Sequence, residues 1–254
     1  MQSISMIVKY DGSAYFGWQR QQNQMSVQAV IEAKLTSILK QNIVIHGSGR
    51  TDARVHALGQ CFSFEAHLIM PLDNLVMVLN RCLPDDIVII HATEHDTPFH
   101  ARYQALGKTY VYKIYMDPLR DPFRDKYMFH VPYDLDLKRI EKALPSFLGE
   151  QDFKVFMASG SQTTNTIRTI YKLEMNKTSE CLTFTITGNG FLYKMVRSIV
   201  GTLIQVGRGK ICPNEIPTII QTGNRQRVKY TAGANGLYLS QVYYHLEEIE
   251  KNMQ

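Results

Sequence analysis

The first hundred residues alternate between two hydrophobic periods, and this alternation restricts the fold more than any other feature of the sequence. Residues 3–10 follow the period of two that is typical of a β-strand. From Ser26, a favourable helix N-cap, to about Gln41 the apolar residues follow a helical period and form one stripe. The later segments of this half are, in order, strands at 43–45 and 61–64, a helix from Pro71 and a strand from Asp86. The order β-α-β-β-α-β predicts a split βαβ unit.

The remainder of the chain again alternates strands and helices. Residues 108–115 read as a strand with Tyr110 and Tyr112 on the same face. Residues 159–165 have the composition of a loop, and residues 236–242 form a last strand. The second half therefore has the same general architecture as the first.

We predict two halves, residues 1–105 and 106–254, that share one mixed, largely antiparallel sheet. The predicted fold class is α/β, of the α+β type, with two ferredoxin-like (split βαβ) halves and a central cleft. A chain of 254 residues with 44% hydrophobic side chains can bury a core of this size.

A polar loop, residues 47–60, lies between two of the predicted strands. Asp52 is its only acidic residue, and Arg50 and Arg54 flank it two positions away on either side. Cations this close favour the ionised carboxylate, which suits a nucleophile or a charge stabiliser better than a general acid. The alternative is a surface turn whose aspartate bonds its own backbone, and composition alone favours that alternative. The loop contains neither a P-loop nor a dinucleotide-binding motif.

The overall charge and the cysteines restrict function only weakly. The net charge of +5 is compatible with binding a polyanion and equally with a solvated basic surface. The four cysteines form no CxxC motif, so we expect a reducing compartment. The N-terminus lacks a basic n-region, and no apolar run approaches the roughly 18 residues of a membrane span. We expect a cytoplasmic protein that is not bound to a membrane.

A cluster of histidines suggests a metal site at first sight. His91, His95 and His100 lie close in sequence to Asp96. On a strand, however, positions 91 and 95 are separated by roughly 13 Å, which is too far for both side chains to share one ion. We therefore expect these side chains to lie at the surface or to contact a polyanion, and we expect no bound metal.

The loop sequence GRTDARVHALGQ, residues 49–60, resembles the active-site signature of the TruA-type tRNA pseudouridine synthase family, GRTDAGVHA-x-GQ. Further resemblances to that family follow in its order along nearly the whole chain: YDG-x-x-Y-x-GWQ at 10–19, FHAR at 99–102, Y-x-Y at 110–112, G-x-x-F-L-x-x-MVR-x-IVG at 188–201 and GL-x-L-x-x-V at 236–242. Two positions depart from the family pattern. Arg54 replaces a glycine, and Lys108 and Thr109 stand where an arginine usually precedes Tyr110.

The resemblance implies a role for several residues. Asp52 corresponds to the catalytic aspartate, Tyr110 to the tyrosine that stacks on the target base, and Arg197 to the arginine that pairs with the aspartate in the central active-site cleft. The side chains that are candidates for contacts with tRNA phosphates are Arg50, Arg54, His56, Arg102 and Lys194.

The implied reaction isomerises uridine to pseudouridine, at positions 38, 39 and 40 of the anticodon stem-loop in this family. It requires no cofactor, because nothing is oxidised and no group enters or leaves. The family works as homodimers in which each tRNA touches both subunits. Tyr110 would stack on a uracil flipped out of its stem.

The departure at Arg54 leaves two interpretations open. If the backbone at this position has a positive φ, arginine costs about 1–2 kcal/mol relative to glycine. If it does not, Arg54 adds a cation that extends the phosphate-binding surface or changes the choice of substrate.

Two other functions are compatible with parts of the sequence. The chain could be an RNA-binding module of the same fold without catalysis, although such a binder has no need of an aspartate that faces phosphates. The polar loop could instead serve an enzyme of small phosphorylated molecules, but the resemblances outside the loop argue against this function.

Overall fold

The structure, a computed structural model, describes residues 1–160 and 163–253. Its strands are β1 (Gln2–Tyr10), β2 (His46–Gly47), β3 (His56–Ala66), β4 (Ile87–His95), β5 (Gly107–Met116), β6 (Phe129–Val131), β7 (Gly149–Asp152), β8 (Ile167–Lys177), β9 (Leu182–Gly188) and β10 (Leu237–Tyr243). Its α-helices are α1 (Val27–Leu39), α2 (Leu72–Cys82), α3 (Leu137–Ala143), α4 (Met195–Gly207), α5 (Ile216–Thr222) and α6 (Leu246–Met253). The loop predicted over 159–165 includes Ser161 and Gln162, which lie outside the described residues.

The chain forms two compact units. The first contains Met1–Leu106 together with Tyr238–His245, and the second contains Gly107–Leu237 together with residues 246–253. Most of β10 therefore belongs to the first unit, although its sequence follows the whole of the second. Of the helices in the described ranges, none combines the length and the apolar composition of a membrane span.

The first unit has the predicted order of elements, β1-α1-β2-β3-α2-β4. Its sheet has the strand order β4-β1-β3-β10, in which β1 is antiparallel to both β3 and β4. β10 runs parallel to β3 and pairs with it through Tyr238 and Leu239. Helix α1 begins as predicted, because the Ser26 hydroxyl accepts a hydrogen bond from the Ala29 N–H at 3.3 Å.

The strand predicted at 43–45 is wrong. Ile43 and Ile45 are buried as a strand would bury them, but their N–H groups bond to side chains of helix α1. The Ile43 N–H donates to the Thr36 hydroxyl at 3.1 Å, and the Ile45 N–H donates to the Glu32 carboxylate at 3.0 Å. The helix thus satisfies backbone groups that would otherwise pair with a strand. Only His46–Gly47 forms a short strand, β2, before the polar loop.

The second unit contains an antiparallel sheet with the strand order β5-β9-β8-β7, and the short β6 pairs parallel with β5. Tyr110 of β5 lies opposite Ile186 of β9. Helix α4 is almost entirely buried, which agrees with its apolar sequence. Each unit therefore combines a largely antiparallel sheet with helices, and the predicted α/β fold class is confirmed.

Candidate active site

Asp52 opens a tight turn in the polar loop of the first unit. The Val55 N–H donates to the Asp52 carbonyl at 3.2 Å, and Arg54, at the third position of the turn, has a φ of +65°. A positive φ at this position alone is the pattern of a type II β-turn, which favours glycine there. Asp52 itself is partly exposed, whereas Thr51 and Val55 are buried. The turn thus holds one carboxylate at the surface on an anchored backbone.

The segment of residues 10–19 packs directly against this loop. The Trp18 N–H donates to the Thr51 carbonyl at 3.1 Å, and the Arg54 N–H donates to the Tyr15 carbonyl at 3.2 Å. The Tyr10 hydroxyl and the Thr51 hydroxyl are 2.8 Å apart and hydrogen bonded. Gly17 has a φ of +90°, and a Cβ atom at this position would lie 2.4 Å from the Thr51 carbonyl oxygen. Only glycine allows the two segments to approach this closely.

The two ends of the loop are joined by buried polar side chains. The Ser48 hydroxyl donates to the Gln60 amide oxygen at 2.5 Å, and the Gln60 amide nitrogen donates to the Gly49 carbonyl at 2.8 Å. Gln60 is fully buried, so these bonds replace those that its amide would make with water. The loop is therefore fixed at its base as well as along one side.

His56 occupies a buried position below the loop. Its side chain is 2% exposed, and its ring stacks on Tyr238 with the centroids 4.7 Å apart. Its Nδ1 atom lies 3.2 Å from the Gly12 nitrogen and 3.2 Å from an Asp11 carboxylate oxygen. A ring enclosed in this way supports the loop and the strand pairing beneath it, and it has almost no surface for a phosphate.

The arginines proposed as phosphate ligands in the first unit are exposed. Arg50 donates from Nε to the Gln19 amide oxygen at 3.0 Å, which links it to the segment beside the loop. Arg54 is exposed on the turn, and Arg102 lies beside Tyr103. All three guanidinium groups are accessible to a polyanion.

Tyr110 is mostly buried in the second unit. Its side chain is 8% exposed, and its ring meets the edge of Phe191 at a centroid distance of 5.1 Å. Its neighbour on the strand face, Tyr112, is fully buried and donates to the Gly233 carbonyl at 2.7 Å. Burial raises the pKa of Tyr112 well above its usual value, so Tyr112 remains an uncharged structural residue.

Lys194 and Arg197 lie at the start of helix α4. Lys194 is the N-cap residue with a φ of +58°, so it immediately precedes the helix. Its ammonium lies 4.9 Å from the centre of the Tyr193 ring. Arg197 donates from Nε to the Ala232 carbonyl at 2.8 Å, which fixes the plane of its guanidinium. Two cations at the positive end of a helix dipole favour the binding of an anion such as a carboxylate or a phosphate.

The sequence did not indicate that Tyr15 supports the loop. Its hydroxyl donates to the Asp86 carboxylate at 2.6 Å, and its backbone carbonyl holds Arg54. Burial, followed by the contact with Asp86, raises the pKa of Tyr15 and keeps it neutral. The only signal was its position in the YDG-x-x-Y-x-GWQ segment, since Asp86 is distant in sequence.

Comparison with known proteins identifies the family. The sequence pattern described as "tRNA pseudouridine synthase" matches residues 6–104 and 143–245, which is most of the chain. The chain belongs to the tRNA pseudouridine synthase family. Members of this family are isomerases that convert uridine in tRNA to pseudouridine, so the chain is an enzyme of this class.

Individual relatives support the same assignment. The chain is 43% identical to tRNA pseudouridine synthase A of Acetivibrio thermocellus, covering 96% of this chain and all of that protein. It is 42% identical to the protein of the same name from Caldicellulosiruptor saccharolyticus, with the same coverage of both chains. For that of Staphylococcus aureus the identity is 38%, over 98% of this chain and 94% of the relative.

The structure shows which interpretation applies to the backbone at Arg54: its φ is positive, so arginine is strained at this position. Replacing Arg54 with glycine is expected to raise the free energy of unfolding by about 0.5–1 kcal/mol. The backbone strain of about 1–2 kcal/mol is removed, and the greater freedom of glycine in the unfolded chain offsets part of this gain. Denaturant unfolding of the purified variant measures the change.

The matched control for Arg54→Gly is Arg54→Ala, which removes the same charge and keeps a Cβ atom at positive φ. Arg54→Ala should show no gain in stability. A loss of stability in the glycine variant would contradict the strained turn. We expect both variants to remain active, and a change in the uridines modified by both variants would show that the charge reads the substrate.

Proposed function

We propose that this enzyme isomerises uridines 38, 39 and 40 in the anticodon stem-loop of tRNA, with Asp52 as the nucleophile. The observation that carries the proposal is the polar loop of residues 47–60, called the signature loop below. It has the family motif around Asp52 and is fixed by hydrogen bonds on one side and at its base. A catalytic group must be held in place before the substrate arrives, and this loop has the required anchoring.

In the proposed reaction Asp52 adds to the uridine, either at the ring or at the sugar. The C1′–N1 bond breaks, the base rotates, and a C1′–C5 bond forms. The bond between Asp52 and the substrate then breaks, which restores the free carboxylate. The hydrogen at C5 is then lost to solvent as a proton, and N1 gains one. Atoms and electrons balance within the substrate and water, so the proposed chemistry uses no cofactor.

Two residues of the second unit complete the proposed site by resemblance to the family. Arg197 pairs with Asp52, and a bidentate pair of this kind orients the carboxylate. The Ala232 carbonyl, which fixes the Arg197 Nε, supports this role because it restricts the guanidinium. Tyr110 stacks on the flipped uracil, a contact worth about 1–3 kcal/mol.

Contacts with the tRNA backbone are assigned to the basic side chains that remain accessible. These are Arg50, Arg54, Arg102 and Lys194. We withdraw His56 from this set because its ring is buried under the loop. Affinity for tRNA should fall as salt increases, as it does when cations neutralise phosphates. A homodimer in the cytoplasm is part of the proposal and rests on the family resemblance alone.

Tritium release tests the proposal directly. The wild-type enzyme is incubated with tRNA that carries C5-tritiated uridine, and released tritium is counted before the modified positions are mapped. We expect release and pseudouridine at positions 38–40. Tritium release together with pseudouridine at other positions would support the proposed chemistry and contradict the proposed positions 38–40. Binding of tRNA without any release would favour the RNA-binding module instead.

A further inference from the structure

Three exposed or partly exposed rings of the first unit lie on one another. His46 stacks on His100 with centroids 4.9 Å apart and 27° between the planes. His100 in turn lies 4.2 Å from the ring of Tyr103, at 35°. We call these three residues the His–Tyr stack. Tyr103 ends the stack and is 78% exposed.

A buried scaffold fixes the two segments that carry the stack. His46 pairs in register with Ser63 of β3, and the Ser63 hydroxyl accepts a hydrogen bond from the Ala101 N–H at 3.0 Å. Ser63 is 1% exposed, so both segments are attached to the same interior residue. The rings are therefore held in place by the fold before any ligand binds, which lowers the entropic cost of binding.

The turn after His100 is also organised by that histidine. Its Nδ1 atom accepts hydrogen bonds from the backbone N–H groups of Arg102 and Tyr103, at 3.2 and 3.4 Å. The Gln104 side chain accepts the His100 N–H at 2.6 Å. Partial burial, the neighbouring His46 and Arg102 lower the pKa of His100, which favours the neutral form of its ring. A neutral imidazole between two other rings is a stacking element.

Arg102 adds a cation beside the exposed end. Its guanidinium carbon lies 5.8 Å from the centre of the Tyr103 ring. This distance is near the outer limit of a cation–π contact, about 6 Å, so the guanidinium can move without a large loss. Exposed aromatic rings with an adjacent arginine are the combination that binds unpaired nucleic acid, through stacking on bases and charge on phosphates.

We propose that the exposed end of the His–Tyr stack binds an unpaired base of the tRNA substrate while Arg102 contacts a neighbouring phosphate. This inference rests on the proposed function for the nature of the substrate. Its place in the chain fits that substrate, because His46 comes six residues before Asp52, at the entrance to the signature loop. The base bound here is a second base, separate from the uracil that undergoes reaction.

The test compares Tyr103→Ala with two other variants. Tyr103→Phe keeps the ring and should restore binding. Tyr127→Ala is the matched control, because Tyr127 is also an exposed tyrosine with a cation, Lys126, over its ring. For Tyr103→Ala we expect the KM for tRNA to rise about tenfold while kcat changes little, since the lost contact is a stacking interaction away from the reacting base.

A second readout separates bases from phosphates. Binding is measured to an oligouridylate of about ten nucleotides and to its abasic counterpart, which keeps the phosphates and lacks the bases. Wild type and Tyr103→Phe should prefer the oligouridylate, and Tyr103→Ala should lose that preference. The inference is overturned if Tyr103→Ala binds the oligouridylate as tightly as the wild type does, or if it loses the same affinity for the oligouridylate and for the abasic oligonucleotide. So does a change in oligomeric mass, which would assign Tyr103 to an interface between copies of the chain.

A failure of this inference can be distinguished from a failure of the proposed function. Absence of tritium release by the wild type contradicts the synthase, whereas the oligonucleotide experiment requires no turnover. Normal release together with an unaltered base preference in Tyr103→Ala contradicts only the His–Tyr stack.

Discussion

Replacing Asp52 with asparagine is expected to reduce pseudouridine formation by about 10³-fold or more, because the amide cannot act as the nucleophile. Asparagine has nearly the same shape as aspartate, and the turn is held by the backbone bond from Val55 to the residue 52 carbonyl, which the substitution keeps. The Kd for tRNA should therefore remain close to that of the wild type. Tritium release and equilibrium binding, measured on the same preparation, give the two quantities.

Asp96→Asn is the matched control for this experiment. Asp96 is exposed in the same unit and outside the signature loop, so its substitution should leave both turnover and binding unchanged. Residual turnover of Asp52→Asn above about a tenth of the wild type would move the catalytic role to another residue. A large loss of tRNA binding would instead assign Asp52 a structural role in the loop.

The second large effect is expected from Gly17→Ala. The added Cβ atom would lie 2.4 Å from the Thr51 carbonyl oxygen, at a φ of +90°. We expect the free energy of unfolding to fall by about 3 kcal/mol or more, from overpacking and backbone strain together. We also expect turnover to fall about 100-fold, because a displaced Thr51 moves Asp52 with it. Denaturant unfolding and tritium release measure the two effects.

Gly149→Ala provides the control with the same strain and no contact. Gly149 has a φ of +84°, and apart from its two chain neighbours no atom of the described residues lies within 4 Å of the position its Cβ would take. This variant should lose only about 1 kcal/mol and keep full turnover. Equal losses of stability in Gly17→Ala and Gly149→Ala would show that the packing of residues 10–19 against the polar loop does not depend on close contact at Gly17.

Local periodicity was sufficient to predict the fold class and the order of elements in the first unit, because helices α1 and α2 and the start of strand β4 bury one face. Strands β1 and β3 are buried on both faces, and their apolar composition marked them. It was insufficient at residues 43–45. There the apolar residues are buried as a strand would bury them, but Glu32 and Thr36 satisfy the backbone. Side chains that replace a strand partner leave no mark on the hydrophobic pattern, so such a segment is predicted as a strand.

For the site as well, the sequence predicted some features and not others. The motif identified the loop and its aspartate as the candidate site. Burial could not be derived from the motif. His56 is polar and lies among charged residues in the sequence, yet its ring is covered by Tyr238 from the far end of the chain. The φ of Arg54 was likewise undetermined, because backbone conformation at one residue depends on the turn around it.

The position of β10 has a consequence for how the enzyme is made. Strand β3 begins at His56, immediately after the turn that contains Asp52. Within the described part of the chain, its parallel partner is the segment around Tyr238 and Leu239. A ribosome synthesises the first 106 residues long before that partner emerges. During this interval the nascent first unit has an unpaired strand edge, and His56 lacks the ring that covers it. The polar loop should therefore reach its final form only when synthesis of the chain is nearly complete.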